Sequence, residues 1–245
     1  GGNRQLDLVD SDYSEFIDSA QYRETFVYGN VLIEPDGAGN SQIVHYGGDS
    51  GDQTRYRKGT LYFYHNTVVS TRTGNTTLLR LSSDGESADV RNNILYVTAS
   101  GSRLGIVDSD GSVELAHNWL KTGWVVSHSN PSADVTDVTG NQEGDLPGFT
   151  SLGDQDFGLE QGSTCISGGT LLASACQADH LVLHQYVKHQ SWELRPQDAV
   201  PDIGAFEYGH ATVRRTPSPD FVTGRAERTT RVLLFRCERI SLAPK

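Results

Sequence analysis

The sequence predicts an all-β protein, specifically a right-handed parallel β-helix, in which short strands stack in coils along one axis. Three observations predict this fold: one short phrase repeats, a second phrase repeats in step with it, and both consist of strand-forming and turn-forming residues. The apolar runs are too short for helical repeats. Since one such repeat cannot bury its own apolar face, neighbouring repeats must stack on one another.

The first phrase is an apolar or aromatic run, an asparagine and a second apolar run. It occurs four times, and the asparagines are separated by 36, 27 and 25 residues: Asn30, Asn66, Asn93 and Asn118. Stacked coils would bring these amides about 4.8 Å apart, close enough to hydrogen-bond as a ladder. We therefore predict at least four coils between residues 22 and 140, and Asn141 is a possible fifth member. The alternative is that these are ordinary turn asparagines.

The second phrase is an apolar run that ends in an acidic turn. Its copies SQIVHYGGD, TTLLRLSSD and SRLGIVDSD end at Asp49, Asp84 and Asp110, which follow the ladder asparagines by 19, 18 and 17 residues. If the alternating apolar residues point inward (Val44, Tyr46, Leu79, Leu81 and Val107), the residues between them point outward. We therefore predict one exposed, outward face that carries His45, Arg80 and Asp108, with the turn aspartates at its margin.

The chain divides into four regions. Residues 1–21 are polar and are expected to be an N-terminal end or partial coil of a β-helix truncated there, because the sequence lacks methionine; a short capping helix beginning at Ser14 is the alternative. Residues 22–145 form the coils, and their longest and most charged loop runs from Gly47 to Gly59. Residues 146–209 close the β-helix. Residues 210–245 are a basic extension.

Net charge and hydropathy exclude some partners. The formal net charge is −11, made up of −16 up to Gly209 and +5 from His210 onward. An acidic body repels nucleic acid, so no nucleic-acid partner is expected, although a local cationic patch can still bind another polyanion. The sequence contains no run of 18 apolar residues, so no membrane span is predicted. The oligomeric state is left open.

Three cysteines leave at least one thiol unpaired. They are Cys165, Cys176 and Cys237. A bridge between Cys165 and Cys176 is possible, and two reduced, buried thiols are the alternative, because spacing alone does not establish a disulfide.

The segments after the coils resemble a known family. They contain Pro147 to Phe149, Asp156 to Leu159, Gly162 to Ser163, and DIGAFEY from Asp202 to Tyr208. These elements and the repeat phrases resemble bacterial secreted right-handed parallel β-helix proteins of the pectate-lyase-like, polysaccharide-degrading type. The resemblance covers about residues 22 to 208. It implies a secreted or cell-surface protein that acts on a polysaccharide, with an acidic polysaccharide as the candidate.

The resemblance also implies a type of chemistry. Polysaccharide lyases of this fold remove a proton next to a uronate carboxylate, often with Ca²⁺, so a possible Ca²⁺ cofactor is expected. The candidate catalytic residues are Arg80, His45 and Lys58. The candidate substrate-binding residues are Tyr56 and Arg57. The candidate metal ligands are Asp49, Asp84, Asp108 and Asp110.

Other readings of these residues stay open. Aspartates in Asp-Gly turns also serve backbone hydrogen bonding, and Arg80 can be a solvated strand residue. A non-catalytic glycan-binding, adhesive or structural solenoid fits the same pattern, and a glycoside hydrolase is a further enzymatic possibility. The sequence carries no nucleophile elbow, P-loop or zinc spacing, and a Ser/His/Asp triad cannot be assembled from residue order alone.

The tail contains an unexpectedly apolar stretch. Seven of the twelve residues from Arg231 to Leu242 are apolar. The open end of a solenoid needs a cover. We therefore predict that Val232 to Leu242 packs on the body as a strand or lid, with an extension that has no partner in the fold as the alternative.

Overall fold

The computed structural model describes residues 4–9, 19–48, 51–130, 133–189 and 191–209, and within these ranges it is built almost entirely of strands. The helical elements of the described residues are two single 3-10 turns at Gln53–Arg55 and Ser174–Cys176. The strands are β1 Leu6–Leu8, β2 Glu24–Tyr28, β3 Val31–Glu34, β4 Gln42–Tyr46, β5 Gly59–Tyr64, β6 Thr67–Ser70, β7 Thr76–Leu81, β8 Glu86–Arg91, β9 Ile94–Val97, β10 Leu104–Ser109, β11 Ser112–Ala116, β12 Trp119–Lys121, β13 Asp134–Thr139, β14 Gln142–Gly144, β15 Phe149–Ser151, β16 Asp156–Leu159, β17 His184–Val187 and β18 Ser191–Leu194.

The strands up to β14 form three parallel sheets that run the length of the coils. Sheet 1 has the order β1-β4-β7-β10, sheet 2 the order β2-β5-β8-β11-β13, and sheet 3 the order β3-β6-β9-β12-β14. Each of the first four coils contributes one strand to each sheet in turn, whereas the fifth coil contributes only β13 and β14. Every pairing in these sheets is parallel. The chain is therefore a parallel β-helix, as the sequence predicts.

The core consists of rows of apolar residues stacked in register, one coil above the next. In sheet 2 the row is Val27, Phe63, Val90 and Leu115, and all four are fully buried. Sheet 3 contributes the row Leu32, Val68, Leu95 and Leu120. Sheet 1 contributes Val44, Leu79 and Val107. Like residues stack because each copy of the repeat places the same apolar position at the same angle around the axis.

The asparagine ladder is present and has five members. The Nδ2 of each asparagine donates to the Oδ1 of the next one along the stack, at distances of 3.0 to 3.1 Å, from Asn30 through Asn66, Asn93 and Asn118 to Asn141. The same Oδ1 atoms also accept a backbone N–H from the asparagine below. The residues are therefore not ordinary turn asparagines, because their side chains replace backbone partners between coils.

The residue before each ladder asparagine has a left-handed backbone. Its φ lies between 48° and 74° in all five coils: Gly29, His65, Asn92, His117 and Gly140. Glycine, asparagine and histidine are residue types enriched in this region of backbone space. The corner between sheets 2 and 3 thus consists of a left-handed residue followed by a ladder asparagine, repeated once per coil.

The closing region folds back over the outer sides of sheets 2 and 3. It contains two antiparallel hairpins, β15 with β16 and β17 with β18. On sheet 3, Trp119 and Ile94 are buried with Phe157 and Ile203. On sheet 2, Phe26, Tyr64, Cys176 and Val182 form a second buried cluster. Neither cluster includes a residue of sheet 1.

The DIGAFEY segment fastens this region to the coils. Asp202 accepts the backbone N–H groups of Ser167, at 2.7 Å, and Tyr208, at 2.6 Å. Glu207 forms an ion pair with Arg195 at 2.7 Å, and both side chains are at most 2% exposed. The N–H of Ala205 donates to Thr67 in the second coil. The motif therefore has a structural function at the surface of the coils.

Two of the cysteines are reduced, which is the alternative to a disulfide. Cys165 and Cys176 are both free and buried, and they belong to different apolar clusters. Burial raises the pKa of each thiol to about 12, so both stay protonated at neutral pH. Cys237, the expected helix cap at Ser14 and the apolar tail segment all lie outside the described residues.

Candidate functional site

The outward side of sheet 1 carries a column of polar residues in register. The Cα of Asp7 pairs with that of His45, His45 pairs with Arg80, and Arg80 pairs with Asp108. These four residues, called here the polar column, come from β1, β4, β7 and β10. The sequence predicted three of them on one face, and the structure brings those three together. It adds Asp7, which lies in a region assigned to the N-terminal end or partial coil.

His45 joins two neighbours of this face through its imidazole ring. Its Nδ1 lies 2.8 Å from Oδ1 of Asp7, and its Nε2 lies 2.9 Å from Oγ of Ser82. With the proton on Nδ1, the ring donates to Asp7 and accepts from the Ser82 hydroxyl. His45 is only 2% exposed, so the expected exposed position is wrong for this residue. Its two ring nitrogens are held by Asp7 on β1 and by Ser82 just after β7.

Asp108 closes the other end of the polar column. Its carboxylate accepts from Gln42 at 2.8 Å, from the hydroxyl of Ser129, and from the backbone N–H of Ser109 at 3.0 Å. Partial burial on its own raises the pKa of Asp108. The hydrogen bonds from Ser129 and Gln42, together with the Arg80 cation, outweigh this effect and hold the pKa below its usual value. Asp108 is therefore an ionised, fixed acceptor on this face.

The other candidate residues from the charged loop serve the structure. The ammonium group of Lys58 lies 2.5 Å from Oε1 of Glu86 and 2.9 Å from Oγ of Ser83. Because the Glu86 side chain is fully buried, separating this pair would leave a buried carboxylate without its cation. Lys58 is thus engaged in an ion pair and does not join the polar column.

Arg57 and Tyr56 are also engaged. Arg57 is 4% exposed, donates to Oγ1 of Thr25 at 3.0 Å, and lies over the ring of Tyr22. The half-buried ring of Tyr56 packs on the backbone of Gly48, where a Cβ atom would lie 2.0 Å from the ring. Arg57 contacts sheet 2 and therefore does not join the polar column.

The expected calcium ligands are not assembled by the described residues. Asp84 and Asp110 are exposed in turns, whereas the Asp108 oxygens are occupied by protein donors. Asp49 lies outside the described residues. In the described ranges, no three histidine, cysteine or acidic side chains come together in a way that could hold a metal ion. The donor set described therefore does not fit a Ca²⁺ site, and no chemical step is assigned to one.

Asp84 instead borders an open depression of about 420 Å³ beside sheet 2. Arg23 and Glu24 line it together with the turn residue Gly85. The depression is open and polar, and none of its lining residues belongs to the polar column. It offers no nucleophile and base within hydrogen-bond distance of each other.

Two residues of the site could not be found from the repeats. Ser82 follows β7 in a turn where serine is common, and its Oγ partner is 37 positions earlier in the chain. Asp7 lies 38 residues before His45, on a three-residue strand without the repeat phrase. The alternation of Leu6, Asp7 and Leu8 is a weak signal that does indicate an outward aspartate.

Comparison of the chain with known proteins finds no match. No family model, no curated protein sequence and no solved structure matches the chain. Among the described residues, the structure has no helix of the length and apolar character needed to cross a membrane.

Proposed function

We propose that the protein is a carbohydrate-active β-helix protein that binds an acidic polysaccharide along the polar column. The observation that carries the proposal is the register of Asp7, His45, Arg80 and Asp108 on sheet 1. The buried clusters of the closing region contain no residue of this sheet. Strands about 4.8 Å apart extend this column over about 14 Å, enough to contact a short run of sugar units.

Arg80 is the group that recognises a polyanion in this proposal. It lies at the centre of the column, and its guanidinium can bind a uronate carboxylate through two hydrogen bonds. Because the rest of the body is strongly acidic, binding of a polyanion depends on this local cation and weakens as salt is added. Asp108, kept ionised by its protein donors, fixes one end of the column next to Arg80.

The reaction proposed is cleavage of the polysaccharide, with Arg80 and His45 as the candidate catalytic residues and a lyase as the first candidate. A polymer of this kind is found outside cells, so the proposed location is secreted or cell-surface. A solenoid that binds the same polysaccharide without cleaving it is the second candidate, because the polar column alone explains binding.

Binding of a polyuronate to the parent protein and to Arg80→Ala tests the proposal. We expect affinity to fall at least ~10-fold in Arg80→Ala, since a charge-assisted hydrogen bond contributes about 1.5 to 3 kcal/mol. Arg103→Ala is the matched control, because Arg103 is an exposed arginine whose side chain contacts only the Asn75 side chain in the described hydrogen bonds. Equal affinities for all three proteins would overturn the proposal.

An absorbance assay for unsaturated product separates the two candidates. We expect the parent protein to generate such product from the polyuronate at neutral pH, and the assay is run with and without Ca²⁺. Binding without any product under both conditions would favour the non-catalytic solenoid.

A further inference from the structure

We propose that Ser82, His45 and Asp7 form a nucleophilic triad that hydrolyses acyl esters. The three side chains form an unbroken chain of hydrogen bonds from carboxylate to imidazole to hydroxyl. The distances are 2.8 Å from Asp7 Oδ1 to His45 Nδ1 and 2.9 Å from His45 Nε2 to Ser82 Oγ. This is the geometry by which a histidine activates a serine, and it is recognised by such roles and not by chain order.

The fold positions each member of this triad. Asp7 and His45 lie on paired strands with their Cα atoms in register. Ser82 follows the last residue of β7, two positions after Arg80, and the two-residue period places it on the side of the sheet that His45 faces. Two paired strands and the residue that follows the adjacent strand β7 therefore supply the orienting carboxylate, the base and the nucleophile.

Burial differs between the members in a way that suits their roles. The His45 ring is 3% exposed, which protects its hydrogen bonds from competition by water. Ser82 is partly exposed, as a nucleophile that meets a substrate from solvent needs to be. The Asp7 side chain is 57% exposed, and its main contribution is to orient the ring and fix its tautomer.

The reaction balances with water as the second reactant. Ser82 Oγ attacks the acyl carbon while its proton passes to His45 Nε2, and the C–O bond to the alcohol then breaks as His45 returns the proton to the leaving oxygen. Water next attacks the acyl-serine, His45 again accepts and returns a proton, and the carboxylic acid leaves. Arg80 carries a permanent positive charge on the same face, where it can stabilise the oxyanion.

The substrate class is an acyl ester of a hydroxyl group, such as an O-acetyl substituent of a polysaccharide. The identity of the alcohol rests on the function proposed above, since the polar column would bind the polymer beside Ser82. The triad itself does not depend on it, so a small ester and a polymer test the two parts separately.

A serine-directed fluorophosphonate tests the nucleophile. We expect a covalent adduct on Ser82 in the folded protein, located by peptide mass analysis, and none after denaturation. We also expect Ser82→Ala to lower hydrolysis of p-nitrophenyl acetate at least ~100-fold, and Asp7→Asn to lower it at least ~10-fold. Ser100→Ala, at an exposed serine in the loop between β9 and β10, is the matched control and should retain the parent rate.

The outcomes decide between catalysis and a structural link between strands. If Ser82 forms no adduct and Ser82→Ala hydrolyses the ester as fast as the parent, the triad is overturned, whatever the polysaccharide result. Equal melting temperatures of Ser82→Ala and the parent ensure that a lost rate is not lost folding. An adduct combined with no acetate release from an O-acetylated polysaccharide would overturn the assignment of the polymer as substrate.

Discussion

At the scale of single residues, the ladder asparagines provide side-chain hydrogen bonds between neighbouring coils at one corner of the β-helix. Asn93, which is fully buried, accepts from the backbone and the side chain of Asn66 and donates to Asn118 and to the carbonyls of Phe63 and Arg91. A β-helix turns its chain at every corner, so the backbone groups there lack the partners that a straight sheet supplies. One amide per coil provides those partners in the dry interior.

Replacing Asn93 by alanine is expected to destabilise the protein by about 1 to 3 kcal/mol. The substitution leaves buried donors of Asn66 without an acceptor, and each such group costs about that amount. Urea unfolding of Asn93→Ala measures the effect. Asn40→Ala, at a half-buried loop asparagine outside the ladder, is the control and should change the free energy of unfolding little. Equal losses for both variants would contradict a stabilising ladder.

His65 gives the fold a dependence on pH. Complete burial lowers the pKa of His65 well below its usual value, and the nearby Arg195 cation lowers it further. The unfolded chain takes up a proton near pH 6.5, whereas the folded chain does not, so stability falls as the pH decreases below about 7. The slope from this one group is at most about 1.4 kcal/mol per pH unit.

His65→Asn is expected to reduce this loss. Asparagine suits the left-handed corner, because Asn92 occupies the same position in the next coil. The free energy of unfolding, measured at pH 7.5 and pH 5.5, should differ less between the two pH values in His65→Asn than in the parent. His184→Asn, at an exposed histidine, is the control. A pH response of His65→Asn identical to that of the parent would show that another group causes it.

At the scale of elements, the coils were predictable and the closing region was predictable only as a sequence pattern. Each coil repeats the same bonds, so a weak signal at Asn66 is strengthened by the same signal at Asn93 and Asn118. The face of His45 and Arg80 followed from the two-residue period in the same way. The corner residues were a further signal, because glycine, asparagine and histidine are the types that favour a left-handed backbone.

The parts that escaped prediction are single, non-repeating contacts. Asn92 binds Thr170 across 78 residues of chain, and Ser82 meets His45 in one place only. The repeats in the sequence do not reveal such pairs, because nothing in the local sequence distinguishes these residues from ordinary turn residues. The same limit applies to Lys58 and Arg57, whose buried partners are visible only in three dimensions.

The closing segment depends on close approach at Gly204. This residue has a φ of 101°, and a Cβ atom there would lie 2.7 Å from Ile94 Cδ1 and 3.0 Å from Thr67 Oγ1. We expect Gly204→Ala to lower the free energy of unfolding by about 1 to 3 kcal/mol more than a substitution with backbone strain alone. Gly209→Ala supplies that comparison, since Gly209 has a φ of 87° and no atom within 4 Å of its Cβ position. Equal losses in the two variants would mean that the segment does not dock tightly.

At the scale of the whole molecule, the closing region contacts the first, third and fourth coils, and no strand of the first coil pairs with a strand of the other two. Its Val182 packs with Phe26 of the first coil, its Thr170 binds Asn92 of the third, and the carbonyl of Gly168 meets His117 of the fourth. In a simple solenoid, stability is a sum over neighbouring repeats, and ends can open alone. Here the closing region, residues 146–209, lies along sheets 2 and 3 as a strap that couples the coils. We therefore expect the coils to unfold together.

Removing the cation that anchors this strap tests the coupling. Burial raises the pKa of Glu207 and lowers that of Arg195, and their pairing opposes both changes. Arg195→Met leaves the Glu207 carboxylate buried without its partner, at a cost of about 3 to 5 kcal/mol. Because the strap contacts successive coils, we expect faster amide hydrogen exchange in Arg195→Met in β2, β8 and β11 as well as in the closing region. Arg103→Met, at an exposed arginine, is the control. Faster exchange confined to residues 191–209 would show that the coils keep their stability independently of the strap.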